Sequence, residues 1–171
     1  MLDRKPFGIV GVFAASCFLS GCPYESRVPL TPSAEGALDP VLVGDWRCVS
    51  SDSEKVALLT VTPFDERQYY VGAAYEGSPP VPFRAYVSSV KGHRILNVRA
   101  LAPAGPVWTE RWFFVRYSSP SKNALEIECV RKEALQGDPQ TEADLRSALS
   151  AHIDDASAYE QYAVCARVLS K

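Results

Sequence analysis

From Val41 onward, short runs rich in β-branched and aromatic residues are cut by turn signals, and their apolar positions recur with period two rather than 3.6. The pattern predicts strands near 43–50, 54–62, 67–76, 82–90, 93–101, 107–118 and 124–132. The intervening stretches, among them Pro63-Phe64-Asp65-Glu66, Gly77-Ser78-Pro79-Pro80 and Lys91-Gly92, are too short for the crossovers that parallel strands need. Neighbouring strands should therefore run antiparallel. There is no βαβ alternation and no internal repeat.

The C-terminal region, from Asp138, changes period. Asp138-Pro139 and then Thr141, with Asp144 at capping-box spacing, open a helix over about 140–152 whose apolar face is Leu145, Ala148, Leu149 and Ile153. After Asp154-Asp155, residues 161–169 read either as a short helix or as an eighth strand, and the alternation of Tyr162, Val164, Ala166 and Val168 favours the strand. The sixth strand carries bulky groups on both faces: Phe113, Val115 and Tyr117 on one, Trp108, Trp112 and Phe114 on the other. A strand with one wet face does not do this, so its second side needs a cover, and the amphipathic helix is the candidate. The fold class that follows is mainly β: a small antiparallel barrel of about eight strands, with one C-terminal α-helix packed outside and no exposed sheet edges.

Ahead of this domain, residues 22–40 contain Pro23, Pro29, Pro32 and Pro40 and show no sustained period, which reads as a Pro-rich tether. Residues 1–21 begin with Arg4 and Lys5 and continue in an uncharged run from Phe7 to Leu19. As a helix that run spans roughly 20 Å against a hydrocarbon core of about 30 Å, which suits a signal peptide better than a membrane span. Leu19-Ser20-Gly21-Cys22 then resembles the lipobox of bacterial lipoproteins. The resemblance implies diacylglycerol on the Cys22 thiol, cleavage before Cys22, and a lipid-anchored protein of the bacterial cell envelope. In that family aspartate after the cysteine favours inner-membrane retention. Here the residue is Pro23, which points to the outer membrane, facing the periplasm.

Removal of residues 1–21 leaves 150 residues, enough for a single domain with residues 41–171 as its β-barrel. It also removes two of the 18 basic and one of the 20 acidic residues, so the formal charge becomes −3. The excess of Lys and Arg that nucleic-acid binding leaves in a sequence is missing, and no nucleic-acid partner is expected.

Gly44-Asp45-Trp46 on the first strand, followed by a late helix and a last strand, resembles the lipocalin and wider calycin families. That resemblance implies a calycin-like barrel in which Trp46 plugs the closed end and an arginine, Arg167 by position, packs across the indole.

Candidate chemistry is sparse. His93 and His152 have no neighbours at metal-ligand spacing, and there is no Gly-x-Ser-x-Gly elbow, phosphate loop or Cys-x-x-Cys. The pairs Asp154-Asp155 and Glu126/Glu128 read as solvated surface. The expectation is a non-enzyme without metal or cofactor. An oxidising compartment makes a disulfide among Cys48, Cys129 and Cys165 plausible, three reduced thiols being the alternative. Because consecutive strands usually pair, the pairing that strand order favours is Cys129 with Cys165. Two function classes remain: a barrel that binds a small apolar or amphipathic molecule, with Tyr69, Tyr86, Arg99 or Arg111 as polar contacts if they point inward, or an interaction lipoprotein with a filled barrel that engages another envelope protein.

Overall fold

A computed structural model describes residues 23–51, 55–75, 77–101, 111–135 and 137–169. Within them lie strands β1 (Glu25–Ser26), β2 (Gly44–Ser50), β3 (Val56–Pro63), β4 (Tyr69–Tyr75), β5 (Val81–Val90), β6 (His93–Ala100), β7 (Trp112–Ser121), β8 (Ala124–Val130) and β9 (Tyr159–Arg167), with helix α1 (Glu142–Ala151) between β8 and β9. From β3 to β9 each strand pairs antiparallel with the one before it, and β9 pairs back onto β2. The eight strands thus close into the small barrel expected from the sequence, with β1 as a short addition beside β7 and the helix outside. The ambiguous last segment is a strand.

Alternation along the strands sorts the apolar residues into two cores. Trp46, Cys48, Val61, Tyr69, Ala85, Val87, Leu125, Ala163 and Cys165 point into the barrel. Val90, Ile95, Phe114, Val130 and Tyr159 point outward and pack against Leu145 and Leu149 of α1 and Ile153 just past its end. Thr141 caps α1 by accepting from the Asp144 N–H (3.1 Å), and its hydroxyl donates to the Asp144 carboxylate (2.7 Å). Full burial of each of the three side chains Leu145, Leu149 and Ile153 contributes about 1.5–3 kcal/mol, which fixes the helix to this face.

Two boundaries differ from the sequence reading. The strand expected over 107–118 continues to Ser121, where a register shift between Ser118 and Ser121 takes up Pro120, a residue with no N–H for the ladder. Its expected beginning, and Trp108, lie outside the described residues, as do residues 1–21 and Cys22.

The tether expected over 22–40 needs correction: residues 23–40 are docked on the barrel. Pro23 forms a bridge with Arg131, Glu25–Ser26 pair with Phe113 and Trp112, and Ala37 pairs with Val87. Tyr24 and Leu30 are buried in the outer core beside Phe114, so the cover over β5–β7 is shared between α1 and this N-terminal strap. The physical reason is a buried polar network. Asn97, fully buried on β6, accepts from the Leu30 N–H (2.9 Å) and donates to Ser88 Oγ (2.7 Å), while the Tyr86 hydroxyl donates to the Thr31 carbonyl (2.6 Å). Gly36 lies so close to Tyr86 that an added Cβ would fall 2.8 Å from its ring.

Asn97→Ala strands the Leu30 N–H in a dry site and should cost about 1–3 kcal/mol in urea unfolding. Amide exchange at Leu30 and Ala37 should accelerate with it, and unchanged protection there would show that the strap is held by other contacts.

Candidate functional site

One end of the barrel is sealed by the chain that leads into β2. Asp39-Pro40 is a natural start for a helical turn, since the aspartate caps it and the proline occupies a position whose N–H is not needed. A 3-10 turn, Pro40–Leu42, forms there, with the Asp39 carboxylate accepting from the Val41 N–H (3.2 Å). Leu42 enters the interior, and its carbonyl accepts from Trp46 Nε1 (2.9 Å). Trp46 is fully buried, and the Arg167 guanidinium lies 4.1 Å from the centre of its ring. Arg167 also donates to the carbonyls of Val43 (2.6 Å), Val41 (2.9 Å) and Lys122 (3.0 Å), tying the end of β9 to the β7–β8 turn and to the entry into β2. Gly44 is required here: its φ is +133°, and a Cβ would sit 2.4 Å from the guanidinium.

A second cluster, which the sequence reading missed, surrounds Asp39. Its carboxylate accepts from the Tyr117 hydroxyl (2.8 Å) and from Arg94, and its carbonyl accepts from the Tyr69 hydroxyl (2.9 Å). Three strands, β4, β6 and β7, thereby grip one residue of the strap. Burial pulls the Asp39 carboxyl upward, but the bonds from Tyr117, Val41 and Arg94 outweigh it and hold the group below the usual carboxylate range. Burial pushes the Tyr69 hydroxyl up to about 12 and raises that of Tyr117 further, so both remain protonated donors at ordinary pH. The available sequence signal was Asp39-Pro40 as a helix start, which the proline count of the supposed tether obscured.

The disulfide also departs from expectation. Cys165 bonds to Cys48, and Cys129 takes no part in that bond. β8 and β9 are neighbours, as the favoured pairing required, but their register sets Leu125 opposite Cys165 and Cys129 opposite Glu160. Barrel closure instead places Cys48 directly across from Cys165, with Cα atoms 3.9 Å apart.

Beyond the sealed end the interior wall is apolar. Leu59, Val71, Leu96, Val98 and Ile127 belong to the inward-facing set yet are only half-buried. The small residues Ala57, Ala85 and Ala163 add width to the same wall. An eight-stranded barrel has room to be filled by side chains or to hold one small ligand. Of the four suggested polar contacts, Tyr69 points inward, Tyr86 faces the strap, Arg99 is exposed with its guanidinium 5.6 Å from the Trp112 ring, and Arg111 precedes β7.

The other titratable candidates lie on the outer surface. His93 meets Asp154 (2.8 Å), Glu128 meets Arg116 (2.6 Å), and Glu126 accepts from Ser118 Oγ (2.9 Å). Among the described residues no three His, Cys, Asp or Glu side chains gather into a metal-binding group. Comparison with protein-family models, with curated proteins and with solved structures finds no match.

The Asp39 cluster gives a signed pH dependence. Its folded pKa lies below the unfolded value of about 3.9, so its contribution to stability is complete above that value and is lost as pH falls through the folded pKa. Asp39→Asn should be less stable than the parent at pH 7, and the gap in urea midpoint should narrow below about pH 4. A gap independent of pH would remove the carboxylate from this account.

Proposed function

We propose that this chain is a lipid-anchored lipoprotein of the bacterial envelope whose barrel holds one small apolar or amphipathic molecule by non-covalent contact, without turnover chemistry. The observation that carries the reading is the combination of a sealed end at Trp46 and Arg167 with an apolar wall left half-buried beyond it. An enclosure of this kind binds through buried apolar area. The Gly44-Asp45-Trp46 and Arg167 arrangement supports a calycin-like assignment. The lipobox at Leu19-Ser20-Gly21-Cys22, the basic start and the short apolar run support export and anchoring, and Pro23 after the cysteine supports the outer membrane.

A second reading has its own observation. Val49, Leu58 and Val164 are exposed large apolar residues on neighbouring strands β2, β3 and β9, with Val49 directly opposite Val164, on the outer face of the barrel. Such a strip favours a lipoprotein that engages another envelope protein through its exterior.

Purified protein incubated with an envelope lipid extract and re-isolated should carry a small molecule in native mass spectrometry. Val98→Trp, which fills the wall of β6, should remain folded and reduce that occupancy at least tenfold. A guest-free parent protein that instead cross-links to one envelope protein through the β2–β3–β9 face would overturn the ligand reading in favour of the second.

Anchoring is tested separately. Cys22→Ser should abolish lipid attachment and shift the protein from the membrane to the soluble fraction, because the two acyl chains of the diacylglycerol would be lost. Unchanged processing and partition of that variant would sink the lipoprotein assignment.

A further inference from the structure

Beside the seal, β6 and β7 separate. Their paired register runs from Val98–Phe113 to Ile95–Arg116; past that point β7 continues along β8 to Ser121, while β6 ends at His93 against the Lys91-Gly92 turn. The gap is a cavity of about 320 Å³ lined by His93 and Arg94 of β6, Tyr117, Ser118 and Ser119 of β7, and Val41 of the seal. These side chains are mostly polar, in contrast to the apolar wall of the interior.

The hydroxyl protons in this cavity are already committed. Ser118 Oγ donates to the Glu126 carboxylate (2.9 Å), Ser119 Oγ to the carbonyls of Ser121 (2.8 Å) and Ala124 (3.2 Å), and the Tyr117 hydroxyl to Asp39 (2.8 Å). Carboxylates and carbonyls only accept, so both serine oxygens have lone pairs alone left to offer. His93 Nε2 likewise donates to Asp154 (2.8 Å), which leaves Nδ1 of the neutral ring as an acceptor. Arg94 supplies the opposite. One of its N–H groups is held by Asp39, but the side chain is 61% exposed and its other N–H groups remain as donors.

We infer that this cavity binds a neutral polyol, such as a single sugar ring. Its charges cancel in pairs, Arg94 with Asp39 and His93 with Asp154, and Glu126 stands beside Ser118. An anion would have to take Arg94 from a carboxylate that already holds it, and an ammonium group would face the guanidinium. A hydroxyl answers both halves of the site: its proton goes to Ser118, Ser119 or His93, and its oxygen accepts from Arg94. The volume lies at the low end of the roughly 300–1,000 Å³ of small-molecule sites, which limits the ligand to about one ring. This site is distinct from the apolar interior, and neither reading depends on the other.

The full chain in lauryldimethylamine oxide micelles, a detergent without hydroxyl groups, can be titrated with D-glucose, N-acetyl-D-glucosamine and myo-inositol while amide nitrogen–proton spectra are recorded. Saturable shifts should cluster at residues 92–94 and 117–119, and neither sodium phosphate nor ethylamine should produce them. His93→Leu and Ser119→Ala, whose folding the same spectra report, should each weaken the best-bound polyol about fivefold, as the loss of one hydrogen bond does. Ser118→Ala repeats the measurement should Ser119→Ala misfold. No saturable shift in the cluster with any of the polyols would overturn the site. Tighter binding of phosphate or ethylamine would overturn the ligand class, and unchanged affinity in His93→Leu and the serine variants would overturn the hydrogen-bond assignment.

Discussion

An antiparallel meander has two free edges, and this fold depends on joining them. β2 and β9 pair over five positions from Trp46–Arg167 to Ser50–Ala163. At this seam the Cys48–Cys165 bond supplies a covalent link between residues 117 apart, and the Arg167 guanidinium lies over the Trp46 indole. The interior exists only while the seam holds, since an opened sheet would leave Trp46, Tyr69 and Leu125 facing water. The seal at the barrel end depends on it as well, because Arg167 reaches the carbonyls of Val41 and Val43 only when β9 lies beside β2.

The second organising feature is that β5 to β8 are apolar on both faces. Inside they line the barrel; outside, Val90, Ile95, Phe114 and Val130 need a cover that α1 only partly supplies. The strap completes it with Tyr24 and Leu30, and Asn97 meets the strap's backbone where an apolar side chain would leave the Leu30 N–H unsatisfied. The docked part of the chain thus reaches back at least to Pro23, well before Val41.

Period-two alternation and the turn signals between runs were enough to place the strands. The helix was legible from Thr141, Asp144 and the apolar face of α1. Gly44, Trp46 and Arg167 were legible as a local motif at the first and last strands. The strap was not: its contacts are single events between residues 55 to 67 apart in sequence, such as Tyr86 with Thr31 and Leu30 with Asn97, and leave no period to read. The disulfide failed for a related reason. Parity placed Cys48 and Cys129 on inward or apolar faces, but the choice of partner for Cys165 turned on closure, which sets it opposite Cys48, and on the β8–β9 register, which sets it opposite Leu125. Neither is encoded within any one strand.

Joining the first and last strands of the barrel also dictates an order of events as the chain is made. β2 emerges early and cannot find its second neighbour until β9 follows, so its β9-facing edge stays unpaired throughout synthesis of everything between. β3 to β8 can pair with one another as they appear, whereas closure, the cysteine bond and the seat for Arg167 must wait for the final residues. Until β9 is in place, the edge strand Gly44–Ser50 is open to pairing with a wrong partner.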